Sequence, residues 1–374
     1  MASLVALDLP GGPDFVDALR RVWDRGDTAF PVDQRLPPKA KRAVTASMAP
    51  GSVIDEGLEE RSLPGGRPTE PGDALVVATS GSTGEPKGVV LTHDAVAASA
   101  RASSTWLDVS SGDRWLACLP LAHVGGLSVV TRALVTGTGL TVLPGFDAEQ
   151  VGAAARAGCT LVSLVATALP RIDPRLFRVI LLGGGPPPAA RPDNTVATYG
   201  MTETGSGVVY EGHALPGVEI RVDDAGEIHV RGPMLLRCYR DGHDPLDADG
   251  WFATGDLGGL LPDGRLTVAG RRGELIITGG ENVWPDAVER SLRSHRAVAD
   301  VAVAGRADPV WGQRVVAFVV PADEVEPPTL DELRAHVKAD LATFCAPREL
   351  QLVTVVPRTA LGKVRRTELL SRTG

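Results

Sequence analysis

Residues Thr79-Ser80-Gly81-Ser82-Thr83-Gly84-Glu85-Pro86-Lys87-Gly88 combine what an anion needs: glycines that let backbone approach closely, hydroxyls at Ser80, Ser82 and Thr83, and the ammonium of Lys87. Polyphosphate is the guest such a loop suits. It is not a P-loop, because Lys87 is followed by Gly88 and a β-type run instead of Ser or Thr and a helix. Further on, Gly183-Gly184-Gly185 leaves backbone open to a planar ligand, although the same residues also make a plain strand-ending turn. In Thr198-Tyr199-Gly200-Met201-Thr202-Glu203-Thr204, Glu203 suits Mg²⁺, a hard cation that takes one or two carboxylates plus substrate phosphates, and Tyr199 offers a ring for stacking. Taken alone, Glu203 reads as a solvated loop acid.

The elements that must hold these residues follow from pattern. Ala74–Ala78 feeds the first loop and Val89–Thr92 leaves it, so the loop joins two strands. Asp94 is expected to cap a helix from Ala95 to about Trp106. Upstream, residues 14–25 have helical spacing, while Pro37, Pro38 and the stretch 64–72 read as loop. Downstream come a strand at Trp115–Leu119, an apolar helix opened by Pro120–Gly126, and a strand at Leu140–Leu143. Asp147 and Gln150 start a helix over 148–157, and strands at Thr160–Leu164 and Val179–Leu182 follow. This alternation predicts a large layered α/β domain with a mostly parallel sheet. From about 217 short β runs form a small β subdomain. After Gly270 the strands 275–278, 299–304, 314–320 and 350–356, with helices begun by Pro285 and near 330–342, form a smaller α+β unit. The expected division is 1–269, a pliable hinge at 270–274, and 275–374.

Composition narrows the function. A net charge of −8 gives no basic footprint for nucleic acid. Cys118, Cys159, Cys238 and Cys345 show no C-x-x-C spacing and are expected to be free thiols. Met1–Pro10 lacks the basic n-region of a signal peptide, and the apolar stretch Leu116–Leu143 is broken by His123, Arg132 and several Gly and Thr, so no membrane span is expected. A cytoplasmic protein is what remains.

The decapeptide 79–88 resembles the phosphate loop of the adenylate-forming superfamily of acyl-CoA synthetases, peptide-synthetase adenylation domains and luciferases. The later motifs come in that superfamily's order and span 79 to 363: Gly183–Gly185, Tyr199–Glu203, Trp251-Phe252-Ala253-Thr254-Gly255-Asp256, Gly270–Pro285 and Pro357–Arg366. The resemblance implies Thr79, Ser80, Gly81, Ser82, Thr83, Gly84 and Lys87 around polyphosphate, and Gly183, Gly184 and Gly185 at adenine with Tyr199, Gly200 and Met201. It implies Thr202 near the α-phosphate, Glu203 on the metal, Asp256 on the ribose hydroxyls and Arg271 on ribose or phosphate. Gly279, Gly280 and Glu281 would close on the pantetheine tunnel, and Lys363 would reach the nascent acyl phosphate. Gly273 stands where the family commonly has Asp or Lys at the pivot. The implied cofactors are ATP and Mg²⁺, with coenzyme A as co-substrate, in a member with a trimmed N-terminal subdomain.

Ser163–Arg171, Tyr199–Gly212 and Cys238-Tyr239-Arg240-Asp241 resemble the o-succinylbenzoate-CoA ligase branch, with Ala166 and Ala168 where its pattern has Pro and Gln. That implies 2-succinylbenzoate as the acid, Ser163 and His123 in the acyl pocket, and Arg171 as donor to the carboxylate that is not activated. Another aryl- or acyl-CoA ligase, or a relative that binds adenylate without catalysis, are the alternatives. A homodimer is left open.

Overall fold

The computed structural model describes residues 2–80, 86–188, 190–358 and 364–372. The chain falls into two compact units, Met1–Ile220 with Val230–Ala253, and Arg221–His229 with Thr254–Gly374. The expected link at 270–274 lies inside the second.

The first unit has two seven-stranded sheets. In one the order is Cys238–Tyr239, Pro86–Thr92, Asp73–Ser80, Thr28–Pro31, Leu4–Leu7, Ser52–Ile54, Glu60–Ser62. Its central strands pair parallel, whereas Asp73–Ser80 and Pro86–Thr92 form an antiparallel hairpin. In the other the order is His213–Ala214, Gly207–Tyr210, Thr195–Gly200, Val179–Gly183, Leu161–Val165, Arg114–Ala117, Gly139–Val142. Five neighbouring strands here are parallel, as the alternating pattern requires. Helices His93–Trp106 and Val124–Thr136 pack on one another. The first touches Asp73–Ser80, Pro86–Thr92 and Gly207–Tyr210, and so lies between the sheets. The second is apolar around most of its surface, with Leu127, Val129 and Val130 buried, because it has protein on all sides.

Two expectations are corrected. The helix over 93–106 is capped by Thr92, whose hydroxyl accepts from Ala95 N at 3.1 Å; Asp94 sits in its first turn instead. Pro37 and Pro38 do not mark a loop: Pro38 opens the helix Pro38–Met48, its fixed φ serving the first helical position where no N–H partner is needed. By contrast Asp147 accepts from Gln150 N at 2.9 Å and starts Ala148–Arg156 as expected.

A small sheet, ordered Glu219–Val222, Glu227–Arg231, Phe252–Leu260, Leu266–Arg271, contains the division of the chain. The rest of the second unit is a sheet of Glu281–Val283, Ile276–Thr278, Gly312–Pro321 and Val298–Asp308, with Glu349–Leu352 added parallel to Gly312–Pro321. Helices Pro285–Arg293 and Leu330–Asp340 bury Val288, Leu292, Leu333 and Val337 in one core. Val356, Val364 and Leu369 join a second core with Ala302, Ala304, Val316 and Phe318. Among the described residues, no helix is long and apolar enough to cross a membrane. All four cysteines are free, and burial pushes the Cys118 thiol up to about 12.

Candidate active site

Parallel strands end on one side, and the segments that leave their carboxyl ends meet there. In the second sheet these are the segment from Cys118 to His123 after Arg114–Ala117, the segment from 166 to 171 after Leu161–Val165, the glycines after Val179–Gly183, and Met201–Glu203 after Thr195–Gly200. Of the expected side chains, His123, Arg171, Met201, Thr202 and Glu203 lie on them.

The hairpin Asp73–Ser80/Pro86–Thr92 sets Thr79 opposite Lys87. Its tip residues Gly81, Ser82, Thr83 and Gly84 lie outside the described residues. On the other side of Pro86–Thr92, Tyr239 pairs with Val89, two residues beyond Lys87 and therefore on the same face. Lys87 Nζ consequently rests over the Tyr239 ring, 5.2 Å from its centre, while the Tyr239 hydroxyl donates to Glu203 Oε1 at 3.0 Å. One tyrosine thus joins the exposed lysine of the loop to the half-buried carboxylate of the second motif.

The turn Thr202–Thr204 that carries Glu203 is braced from below. Thr204 Oγ1 accepts from Met201 N at 2.9 Å and donates to Ser206 O at 2.6 Å. Arg132, 2% exposed, donates to Ser206 Oγ at 2.5 Å, Ser103 Oγ at 2.9 Å and Tyr210 Oη at 3.3 Å, and its guanidinium lies 5.3 Å from the centre of the Trp115 ring. A side chain at Gly200 would collide with the Ser206 carbonyl, so glycine is required there. Tyr199 is half-buried. Gly184 has φ +81°, and a Cβ at Gly183 would stand 3.0 Å from Thr198 Oγ1, which donates to Leu182 O at 3.1 Å.

His123 precedes Val124–Thr136, with Nε2 3.2 Å from Asp33 Oδ2. Burial would raise the Asp33 pKa, but hydrogen bonds from His123 and Arg35 outweigh it and hold the carboxyl well below its ordinary range. Ser163 is buried within its strand. Arg171 is exposed, stacked 4.9 Å from the centre of the Phe146 ring.

In the second unit Asp256 faces Arg271 across the strand pair, with Arg271 Nε 3.4 Å from Asp256 Oδ1. Gly279 and Gly280, at φ +61° and +83°, form the two-residue turn between Ile276–Thr278 and Glu281–Val283 that such dihedrals favour. Gly279 N donates to Trp311 O at 2.8 Å, and a Cβ at Gly279 would stand 2.8 Å from the Trp311 ring. Glu281 is exposed. Lys363 lies outside the described residues.

Three site residues escape a reading of local motifs: Tyr239, Asp33 and Arg132. Tyr239 stands in a stretch the sequence marks, Cys238–Asp241, but nothing local says that it pairs beside Lys87. Asp33 and Arg132 have no signal at all beyond being a charge near, or within, an apolar run.

A model of the AMP-binding enzyme family matches residues 22–240, and one of the AMP-binding enzyme C-terminal domain matches 287–363. The probable 2-succinylbenzoate--CoA ligase of Mycobacterium tuberculosis is 39% identical over 395 residues, covering 98% of each chain. The 2-succinylbenzoate--CoA ligase of Listeria monocytogenes is 36% identical over 332 residues, 80% of this chain and 70% of that one. Among solved structures, o-succinylbenzoate CoA synthetase (MenE) from Bacillus subtilis, in complex with the acyl-adenylate intermediate OSB-AMP, superposes with a TM-score of 0.86 at 30% identity. That match covers 98% of this chain and 88% of that chain.

Proposed function

The chain belongs to the AMP-binding enzyme family, and from that membership we propose that it is an ATP-dependent acid–thiol ligase joining 2-succinylbenzoate to coenzyme A, a step of menaquinone biosynthesis. The observation that carries the reading is the joining of Lys87 to Glu203 through Tyr239, which sets an ammonium over one ring and a carboxylate at that ring's hydroxyl.

In the first half-reaction an oxygen of the succinyl carboxylate bonds to the α-phosphorus of ATP, the bond to the bridging oxygen breaks, and pyrophosphate leaves. Thr79, Ser80, Gly81, Ser82, Thr83, Gly84 and Lys87 hold the polyphosphate, with the Lys87 ammonium offsetting its charge. The Tyr239 hydroxyl fixes one oxygen of Glu203 and leaves the other for Mg²⁺, which suits a cation that takes few protein carboxylates beside substrate phosphates. When bound, Mg²⁺ neutralises charge on the departing pyrophosphate. Thr202 lies at the α-phosphate, Tyr199, Gly200, Met201 and Gly183–Gly185 frame adenine, and Asp256 and Arg271 hold the ribose. Lys363 neutralises charge that develops on phosphorus in the transition state.

In the second half-reaction the coenzyme A sulfur bonds to the acyl carbon, the bond to AMP breaks, AMP leaves with the electron pair, and the thiol proton passes to solvent. Between the two, the C-terminal domain turns about 270–274, bringing Gly279, Gly280 and Glu281 to the pantetheine arm. His123 and Ser163 line the acyl pocket. Arg171 is assigned to the free carboxylate, so Arg171→Ala is expected to raise the KM for 2-succinylbenzoate about tenfold at nearly constant kcat, the loss of one bidentate pair. An unchanged KM removes that assignment. A cytoplasmic location belongs to the same proposal, and sedimentation decides between monomer and homodimer.

Exchange of labelled pyrophosphate into ATP tests the whole. It is expected to require 2-succinylbenzoate. Exchange with a different acid alone identifies another aryl- or acyl-CoA ligase, and no exchange with any acid leaves an adenylate-binding protein without catalysis.

A further inference from the structure

One arginine in the second unit has three carboxylates around it. Arg366 places Nη1 2.8 Å from Glu274 Oε2, and Nη2 2.9 Å from Asp286 Oδ1 and 2.7 Å from Glu289 Oε1; its Nε donates to Val303 O at 2.9 Å. Glu289, 2% exposed, also accepts from Val303 N at 2.9 Å and pairs with Arg293 at 2.9 Å. Burial pushes the Glu289 carboxyl up from its ordinary value, with Arg366 acting against that shift. A buried carboxylate that depends on its partner this way makes the node costly to break.

What the node connects matters more than its strength. Glu274 ends the turn Arg272–Glu274, directly after Gly273, where an added Cβ would meet nothing within 4 Å. Arg366 begins the last helix, three residues after Lys363. The chain on both sides of 359–363 is anchored as well. Arg358 and Val364 form an antiparallel bridge, Arg365 N donates to Pro357 O at 2.8 Å, Arg358 Nη2 lies 2.7 Å from Asp300 Oδ1, and Val364 is in the core.

We propose that Arg366 is a positioning residue that fastens the helix following Lys363 to Glu274, the first residue beyond the pivot, so that rotation at Gly273 is delivered to the helix that the lysine precedes. The proposal rests on the roles given above to Lys363 and to the 270–274 link. The strand Leu266–Arg271 is paired through Arg271 and the chain from Glu274 is tied by Arg366, so the bending is confined to Arg272 and Gly273 and the chain from Glu274 onward moves as one body.

The test uses Glu274→Gln and Arg366→Lys in the full-length protein, with the two half-reactions measured apart. In Glu274→Gln, pyrophosphate release is expected to slow about tenfold, the size of one charge-assisted hydrogen bond, with the KM for ATP within about twofold. Thioester formation from preformed acyl-adenylate and coenzyme A, which does not use Lys363, is expected to stay within about twofold of wild type. Arg366→Lys, which keeps the charge and loses the fork, is expected to show the same split, and the double variant is expected to be no slower than the worse single. A loss shared equally by both half-reactions, no loss in either, or additive losses overturns the proposal. Amide hydrogen exchange needs no acid substrate and separates this idea from the choice of substrate. Exchange at 272–276 and at 364–372 is expected to rise together in Glu274→Gln, and a rise at one segment alone overturns the coupling.

Discussion

At Tyr239 a single hydroxyl connects two motifs that lie far apart in the chain. Tyr239→Phe keeps the ring under Lys87 and removes the hydroxyl that donates to Glu203. A hydrogen bond to a charged acceptor is worth roughly 1.5–3 kcal/mol, and Glu203 is half-buried, so the lower end applies: the variant is expected to lose about 1.5 kcal/mol in urea unfolding and, where it is fully folded, about tenfold in adenylation. Steady-state pyrophosphate release and urea titration check both halves, and wild-type adenylation in a destabilised variant refutes a role in positioning Glu203. Arg132 belongs to the opposite category. Its guanidinium bonds neutral oxygens of Ser103, Ser206 and Tyr210 in the core, so Arg132→Met is expected to cost about 2–4 kcal/mol in urea unfolding, several charge-assisted bonds less the gain of an apolar side chain. Lys87 and Glu203 were legible because each sits in a contiguous motif whose residue types declare an anion or a cation. Tyr239, Asp33 and Arg132 were not, since strand pairing and helix packing bring them in, and neither leaves a trace in local spacing.

Elements were read well where period and punctuation agreed, and poorly where one residue had two uses. Leu161–Val165 and Val179–Gly183 are short apolar runs between turns, and their strands fall within one residue of expectation. Thr92 and Asp94 both make good caps, and the choice between them is made by the hairpin: Thr92 ends the strand paired with Asp73, so the chain turns there and the helix begins at His93. Thr92→Ala is therefore expected to cost about 1 kcal/mol, and Asp94→Ala, which loses only the attraction of a first-turn acid for the helix dipole, about 0.5 kcal/mol. Equal losses by thermal unfolding refute that ranking. The hairpin has a further constraint at Gly88, where an added Cβ would stand 2.5 Å from Met48 Sδ and 2.8 Å from Arg240 Cβ. Arg240 cannot yield easily, because it is half-buried and donates to Met48 O at 3.1 Å and Pro68 O at 2.8 Å, as well as to Arg67 O.

On the scale of the molecule, the two units should respond differently to acid. In the first, Asp113 is 6% exposed and receives Arg178 Nε at 2.9 Å and Nη2 at 2.8 Å, Thr160 Oγ1 at 2.7 Å and Ser110 N at 2.9 Å, so three segments of the second sheet meet at one carboxylate. Burial alone would raise its pKa, but these donors bring it down to about 2 from an ordinary 3.8. A carboxyl whose folded value lies below its unfolded value adds stability that is complete above the unfolded value and is lost as pH falls through the folded one, so this contribution fades between about 3.8 and about 2. In the second unit Glu289 has the reverse sign, because burial raises its pKa and protonation relieves a cost that folding imposed. Acidification is thus expected to weaken the first unit, which contains the buried Trp115, through Asp113, a loss that Glu289 does not add to in the second. Asp113→Asn decides the matter: its urea midpoint at neutral pH is expected to lie below that of wild type, and the slope of midpoint against pH between 4 and 2 to be shallower. If the variant keeps the wild-type slope while losing stability at every pH, the acid sensitivity of the first unit lies in other carboxylates.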